Sequence, residues 1–198
     1  LTISHGSNIE NIETGAGDDE IVGNDLSNKI ISGSGRDKIF AGEGEDRIYP
    51  GSGSNTIDLS EDENYQDTLF FAPTHEDGLF DTVYGFIQNF SGDIIDFTEF
   101  KLGGLTFLPL VSISSVPTGY IDNCLVRIFG EGLHDPKNLK DYFGSDYILG
   151  NLKLSDGANA MLVTAESQGT GATQDIYSIS NSFGSIEVHQ IIRLVGNN

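Results

Sequence analysis

The sequence predicts an all-β protein, a parallel β-roll of nonapeptide repeats continuing into a β-sandwich-like C-terminal cap. Three observations carry this expectation. Ile12, Ile21, Ile30, Ile39, Ile48 and Ile57 recur every nine residues without a slip. Two places before each stands an acid or its amide: Glu10, Asp19, Asn28, Asp37, Asp46 and Asn55. Beyond Ile57 the chain breaks into short segments rich in β-branched and aromatic residues, with Gly, Asn and Asp between them.

The repeats occupy the first domain, residues 1–60, as the blocks HGSNIENIE (5–13), TGAGDDEIV (14–22), GNDLSNKII (23–31), SGSGRDKIF (32–40), AGEGEDRIY (41–49) and PGSGSNTID (50–58). Four of them carry glycine at both the second and fourth positions. Each isoleucine is expected to open a very short strand with its side chain inward. Two nonads then close one turn of a flattened coil, so that a block stacks on the next block but one. A solvated loop has no reason to keep a nine-residue apolar beat, and the G-G-x-G-x-D-x-U-x pattern is that of calcium-binding parallel β-helices.

The chemistry accounts for the spacing. Glycines let the backbone turn through positive φ and present carbonyl oxygens, and a carboxylate two residues before the strand reaches the same point. Calcium takes ~6–8 hard oxygens from carboxylates, carbonyls and waters. Several Ca2+ ions are therefore expected between stacked turns. The Asp19/Asp37 level, with turns at Gly15, Gly17, Gly33 and Gly35, pairs two aspartates and should bind most firmly. The Asp37/Asn55 and Asn28/Asp46 levels, with Gly42, Gly44, Gly51 and Gly53, have one charged ligand each and should bind more weakly. Glu10 sits in a block without the second glycine and is expected to cap the stack.

Charge points the same way. Thirty acids against ten bases give a formal charge of −20, which argues against nucleic acid and anionic membranes as partners and favours cations. Such a chain repels itself, so the roll should be loosely ordered without calcium and condense with it. It would stay unfolded where calcium is scarce, as inside a cell, and fold where calcium is millimolar, as outside. Cys124 is the sole cysteine, so no internal disulfide forms; in "IDNCLVRIFG" it reads as a buried thiol on a strand. No apolar run approaches the ~18 residues of a membrane span, and nothing resembles a cleavable signal peptide at this N-terminus.

The second domain, residues 61–198, opens on the acidic stretch "LSEDENYQDT" at 59–68. Strands are expected at 69–72, 79–90, 92–97, 105–114, 124–129, 147–154, 160–165, 175–180 and 186–195. One helix is expected from Asp135-Pro136 to Gly144. The cap would cover the open end of the stack, with Phe70, Phe71, Phe86, Phe90, Phe97 and Phe100 in its core.

"IENIETGAGDDEIVGN" (9–24) and "YGFIQNFSGDIIDFTEF" (84–100) resemble the C-terminal domain of serralysin-type secreted metalloproteases, a branch of the RTX (repeats-in-toxin) proteins. The resemblance covers about residues 3–100 and runs weakly onward to Val195. It implies a calcium-loaded β-roll, a β-sandwich cap, and bacterial export to the extracellular medium by type I secretion machinery through an uncleaved C-terminal signal. Gly85 and Asn89 stand where that family has aspartates for a further calcium, leaving Asp93 and Asp96 as the surviving acids there.

The zinc motif of those proteases, H-E-x-x-H-x-x-G-x-x-H, is missing: His75-Glu76 is followed by Asp77, Gly78 and Leu79. No G-x-S-x-G elbow or G-x-x-x-x-G-K loop occurs either, so the chain itself is expected to be no enzyme. Its expected partner is an N-terminal catalytic domain of the same parent protein. The leading expectation is an export and folding module. The alternative is a polysaccharide-binding accessory module, like those of alginate epimerases and some lyases, with an acidic polysaccharide as partner.

Overall fold

The structure, a computed structural model, describes residues 10–61, 65–72, 79–87, 92–97 and 99, then 106–107, 111–112, 119–120, 124–129, 152–155, 157–165 and 173–196. The chain divides into two compact units, Leu1–Lys101 with Leu194–Asn198, and Leu102–Arg193.

The first unit is a parallel roll. Its strands are β1 (Asn11–Glu13), β2 (Glu20–Val22), β3 (Lys29–Ile31), β4 (Ser34–Gly35), β5 (Lys38–Phe40), β6 (Arg47–Tyr49), β7 (Ser52–Gly53), β8 (Thr56–Asp58), β9 (Thr68–Phe70), β10 (Asp81–Tyr84) and β11 (Ile94–Asp96). One sheet runs β1-β3-β6-β9-β11, and β2, β5, β8 and β10 follow one another in a second. Every described pairing within them is parallel, and the isoleucines lie in register: Ile12 against Ile30, Ile30 against Ile48, Ile21 against Ile39, Ile39 against Ile57. Each three-residue strand from β1 to β9 buries its middle side chain between the sheets, and β11 half-buries its own, Ile95. Ile12, Ile21, Ile30, Ile39, Ile48 and Ile57 are all at most 2% exposed, and each such burial is worth about 1.5–3 kcal/mol.

The stacking runs past residue 60, where the sequence reading set its boundary. Leu69 pairs with Ile48, Val83 with Ile57 and Ile95 with Leu69, so three further strands continue the same two sheets. The nine-residue beat breaks because loops replace the glycine turns, and the offset between coils grows from 18 residues to 21 and then 26. Closure entropy rises only slowly with loop length, so the inward apolar residue keeps its place at small cost.

The aromatic residues assigned to a cap core lie instead in this first unit where they are described. Phe71 is buried and packs 6.4 Å from Phe97, while Phe70 points outward and stacks on Tyr49 at 4.4 Å and 6°. Alternation decides this, since Phe70 follows the inward Leu69. Phe90 and Phe100 lie outside the described residues.

The second unit is described by β12 (Thr106–Phe107), β13 (Val111–Ser112), β14 (Gly119–Tyr120), β15 (Cys124–Phe129), β16 (Leu152–Lys153), β17 (Asn159–Ala165), β18 (Thr173–Ser182) and β19 (Ser185–Val195) up to Arg193. β12 and β13 pair with β15, β15 runs parallel to β17, and β17 is antiparallel to β18. β18 turns into β19 through Phe183-Gly184, both at positive φ as a tight hairpin requires. The expected strands at 124–129, 160–165, 175–180 and 186–195 are present, the last two longer than expected. The expected helix at 135–144 lies outside the described residues, as does the Cys124 side chain.

Candidate metal centre: two carboxylate ladders

The residue two places before each inward apolar side chain turns back beneath the neighbouring coil. From Asp37 and Asp46 onward its Oδ1 accepts a hydrogen bond from the backbone amide of its counterpart one coil earlier. On one edge of the roll the Asp19 amide donates to Asp37 at 2.9 Å, Asp37 to Asn55 at 2.9 Å and Asn55 to Asp81 at 2.7 Å. On the other edge Asn28 donates to Asp46 at 2.7 Å, Asp46 to Asp67 at 2.8 Å and Asp67 to Asp93 at 3.0 Å. The pairs read from the sequence, Asp19/Asp37, Asp37/Asn55 and Asn28/Asp46, are therefore neighbours. Asp67, Asp81 and Asp93 extend the ladders; only Asp93 was singled out in the sequence, as a surviving acid of a further site and not as a ladder member, although each stands two residues before an inward apolar residue as in the nonads. The Glu10 side chain is exposed.

Burial makes these carboxylates chemically unusual. Asp37, Asp46 and Asp67 are at most 1% exposed. Each uses Oδ1 in the ladder, and Oδ2 of each is buried with no hydrogen-bond partner. Leaving such an oxygen unsatisfied costs about 1–3 kcal/mol, more when charged, unless a cation meets it. Desolvation first, then the negative charge of Asp67 and Glu61, pushes the Asp46 carboxyl up to about 8. Desolvation, with Asp93, Glu61 and Glu45, pushes Asp67 up to about 7. These are the electrostatics of sites that lack a positive charge.

The asparagines behave differently. Asn55 donates its Nδ2 to the Pro50 carbonyl at 3.1 Å, and Asn28 donates Nδ2 to Asn24 Oδ1 at 3.1 Å while accepting from the Asn24 amide at 3.0 Å. Both amides thus tie their own turns, needing no ion to satisfy them.

The glycine corners stack as closely as the strands. Ser34–Gly35 pairs in parallel with Ser52–Gly53, and the Ser34 and Ser52 amides donate to the Gly15 and Gly33 carbonyls at 2.9 Å. A Cβ on Gly33, Gly51 or Gly53 would fall on the carbonyl oxygen of the glycine one coil before. The Gly42 position likewise faces the Asn24 carbonyl, and Gly44 faces Leu26. An open cleft beside the Asp19/Asp37 level is lined by Asp18, Asp19, Glu20, Arg36, Asp37 and Lys38. Among the described residues no three His, Cys, Asp or Glu side chains gather closely enough to hold an ion alone. Backbone carbonyls and water must supply most of a calcium ion's oxygens here, as a stack of glycine turns can. Buried carboxylate oxygens without partners beside such turns fit a hard divalent cation.

Residues 6–25 and 22–57 match the RTX calcium-binding nonapeptide repeat, in four copies. No curated protein matches the chain. The segment holding β1–β8 is an RTX repeat region, and its ion is calcium. Repeats of this kind are typical of secreted bacterial proteins. Among the described residues no helix is long and apolar enough to cross a membrane.

Proposed function

We propose that this chain, whose residues 6–57 are RTX repeats, is a calcium-folded module of a secreted bacterial protein, stabilising an attached enzymatic domain and serving type I secretion. The observation that carries this reading is the set of buried Oδ2 atoms on Asp37, Asp46 and Asp67, which calcium would neutralise. Asp19 and Asp37 hold the firmest ion, Asp46 contributes a second charge opposite Asn28, and Asn55 serves through its carbonyl oxygen. The turns at Gly15, Gly17, Gly33, Gly35, Gly42, Gly44, Gly51 and Gly53 bring carbonyls within reach. Because the sites do not exist in the unfolded chain, binding and folding are one equilibrium, and export at low calcium followed by folding outside becomes directional. Far-UV circular dichroism in chelator and then in millimolar calcium should show coil becoming β; a spectrum indifferent to calcium would refute the reading.

A specific observation favours the alternative of a polysaccharide-binding module. Tyr49 and Phe70 stack on the outer face of the roll, with Lys29 5.5 Å above the Tyr49 ring and Arg47 5.2 Å above Phe70. Aromatic rings beside cations suit an acidic sugar chain. The surrounding acids weigh against it. Salt-sensitive retention on alginate or another acidic polysaccharide, abolished by Arg47→Ala, would reverse the ranking.

A further inference from the structure

Between β8 and β9 the chain replaces the glycine turn of a nonad with "LSEDENYQ", residues 59–66. Glu61 folds back within this loop: its Oε1 accepts the Tyr65 amide at 3.0 Å, and burial raises its carboxyl above the usual range while the Tyr65 and Gly44 backbone amides favour its charged form. Its other oxygen, Oε2, is buried without a hydrogen-bond partner. The same is true of Oδ2 on Asp46 and on Asp67, the two ladder residues of this level, which are 1% and 0% exposed. Three partnerless carboxylate oxygens therefore belong to one level of the roll. The side-chain charges bearing on Asp46 and Asp67 there are all negative.

We propose that Glu61 is a calcium ligand at the Asp46/Asp67 level, its carboxylate replacing the carbonyl oxygens of the glycine turn that this coil lacks. The sequence here lacks the glycines whose positive-φ corners stack carbonyls in the nonads, and one long acidic side chain can supply an oxygen in their place and add charge as well. The added charge strengthens calcium binding at this level. Carbonyls and water complete the ~6–8 oxygens, since among the described residues no three His, Cys, Asp or Glu side chains gather closely enough to hold an ion alone.

This assignment rests on the calcium reading of the roll, and the test separates the two. Calcium stoichiometry and affinity are measured by calorimetry on the full chain, Glu61→Gln and Asp37→Asn. Glu61→Gln keeps the oxygen that closes the loop and removes only the charge. The expected result is loss of one ion, or at least about tenfold weaker binding at one site, with Asp37→Asn affecting a different ion. Unchanged stoichiometry and affinity in Glu61→Gln alongside a loss in Asp37→Asn would overturn the Glu61 assignment and leave the roll's calcium standing. No binding by the wild-type chain would overturn both. Should Glu61→Gln fail to fold, terbium decides the matter, because it occupies calcium-type oxygen sites and emits when a neighbouring tyrosine passes it excitation. Tyr65→Phe should lower the sensitised emission without changing the number of ions bound, and undiminished emission would overturn the assignment.

Discussion

The backbone amide of Asp19 donates to Oδ1 of Asp37 at 2.9 Å, across a full coil of the roll, while Oδ2 of the same carboxylate is buried without a partner. One side chain thus performs two separable tasks: its first oxygen sets the register of neighbouring coils, and its second carries a charge that only a cation can satisfy. On the proposed reading, secondary structure and ion binding share this residue, and calcium does not simply decorate a fold that exists without it.

Replacing Asp37 separates those tasks. Asp37→Asn keeps the acceptor for the Asp19 amide and removes the buried charge. It should weaken the calcium response while leaving the calcium-free chain at least as ordered as the wild type. Asp37→Ala removes both and orphans the Asp19 amide, costing a further ~1–3 kcal/mol in calcium. Dichroism titrations of the three proteins should rank wild type, then Asn, then Ala in saturating calcium, with Asn at or above wild type in chelator.

The reverse change belongs at Asn55. Its Nδ2 ties the Pro50 carbonyl, so Asn55→Asp exchanges that bond for a carboxylate facing a carbonyl, stacked between Asp37 and Asp81 in the ladder. The variant should bind calcium more tightly and be less stable in chelator, by about 1–3 kcal/mol. Opposite shifts in the two conditions are the signature, and a shift of the same sign in both would contradict it.

The roll was legible because Ile12 to Ile57 and their partners two places earlier keep a fixed period, which coil stacking requires. Asp67, Asp81 and Asp93 were not read as ladder members because loops of varied length destroy that period. The local signal survived: Asp67 precedes Leu69, Asp81 precedes Val83, and Asp93 precedes Ile95 by the same two places. Phe70 was misplaced because its bulk suggested a core, whereas its position after Leu69 puts it outside. In the second unit the strands β18 and β19 showed in their alternation, though not their full length or the hairpin that joins them. The parallel pairing of β15 with β17 did not, since strand partners distant in sequence leave no local trace.

Glycine corners that look alike in sequence should differ in tolerance. A Cβ on Gly33 would strike the Gly15 carbonyl, at a φ of 98°, whereas nothing among the described residues lies within 4 Å of one on Gly15. Gly33→Ala should therefore cost more than about 2 kcal/mol, while Gly15→Ala should stay within about 0.5 kcal/mol. Calcium-saturated thermal melts check this, and equal loss in both variants would count against close stacking as the reason for glycine.

The second unit has a buried centre of its own. Asp175, 0% exposed, accepts from Arg193 through both oxygens at 2.7 and 3.0 Å, from Gln190 at 3.0 Å and from Tyr177 at 3.3 Å. Removing one member of such a pair leaves the other charge uncompensated. Asp175→Ala should cost about 3–5 kcal/mol, and by contrast with the ladder variants the loss should not be recovered by more calcium. Denaturation at two calcium concentrations distinguishes these cases.

The pH dependence of the calcium-free chain has a sign that sets it apart from ordinary acid denaturation. Asp46 and Asp67 are raised from 3.8 to about 8 and about 7, chiefly by desolvation. A carboxyl raised in the folded state holds its proton there at pH values where the unfolded chain has lost it. Folding then takes up protons between about pH 4 and 8, and the stability from these groups, fully present below pH 4, is lost as pH rises through the folded values. The calcium-free roll should accordingly be more ordered at pH 5 than at pH 8, and calcium at pH 8 should restore order. Asp46→Asn with Asp67→Asn should flatten the profile. Dichroism across this range in the absence of calcium tests it, and a roll that gains order on going from pH 5 to 8 would show that the ladder carboxylates are ionised and already compensated within the protein.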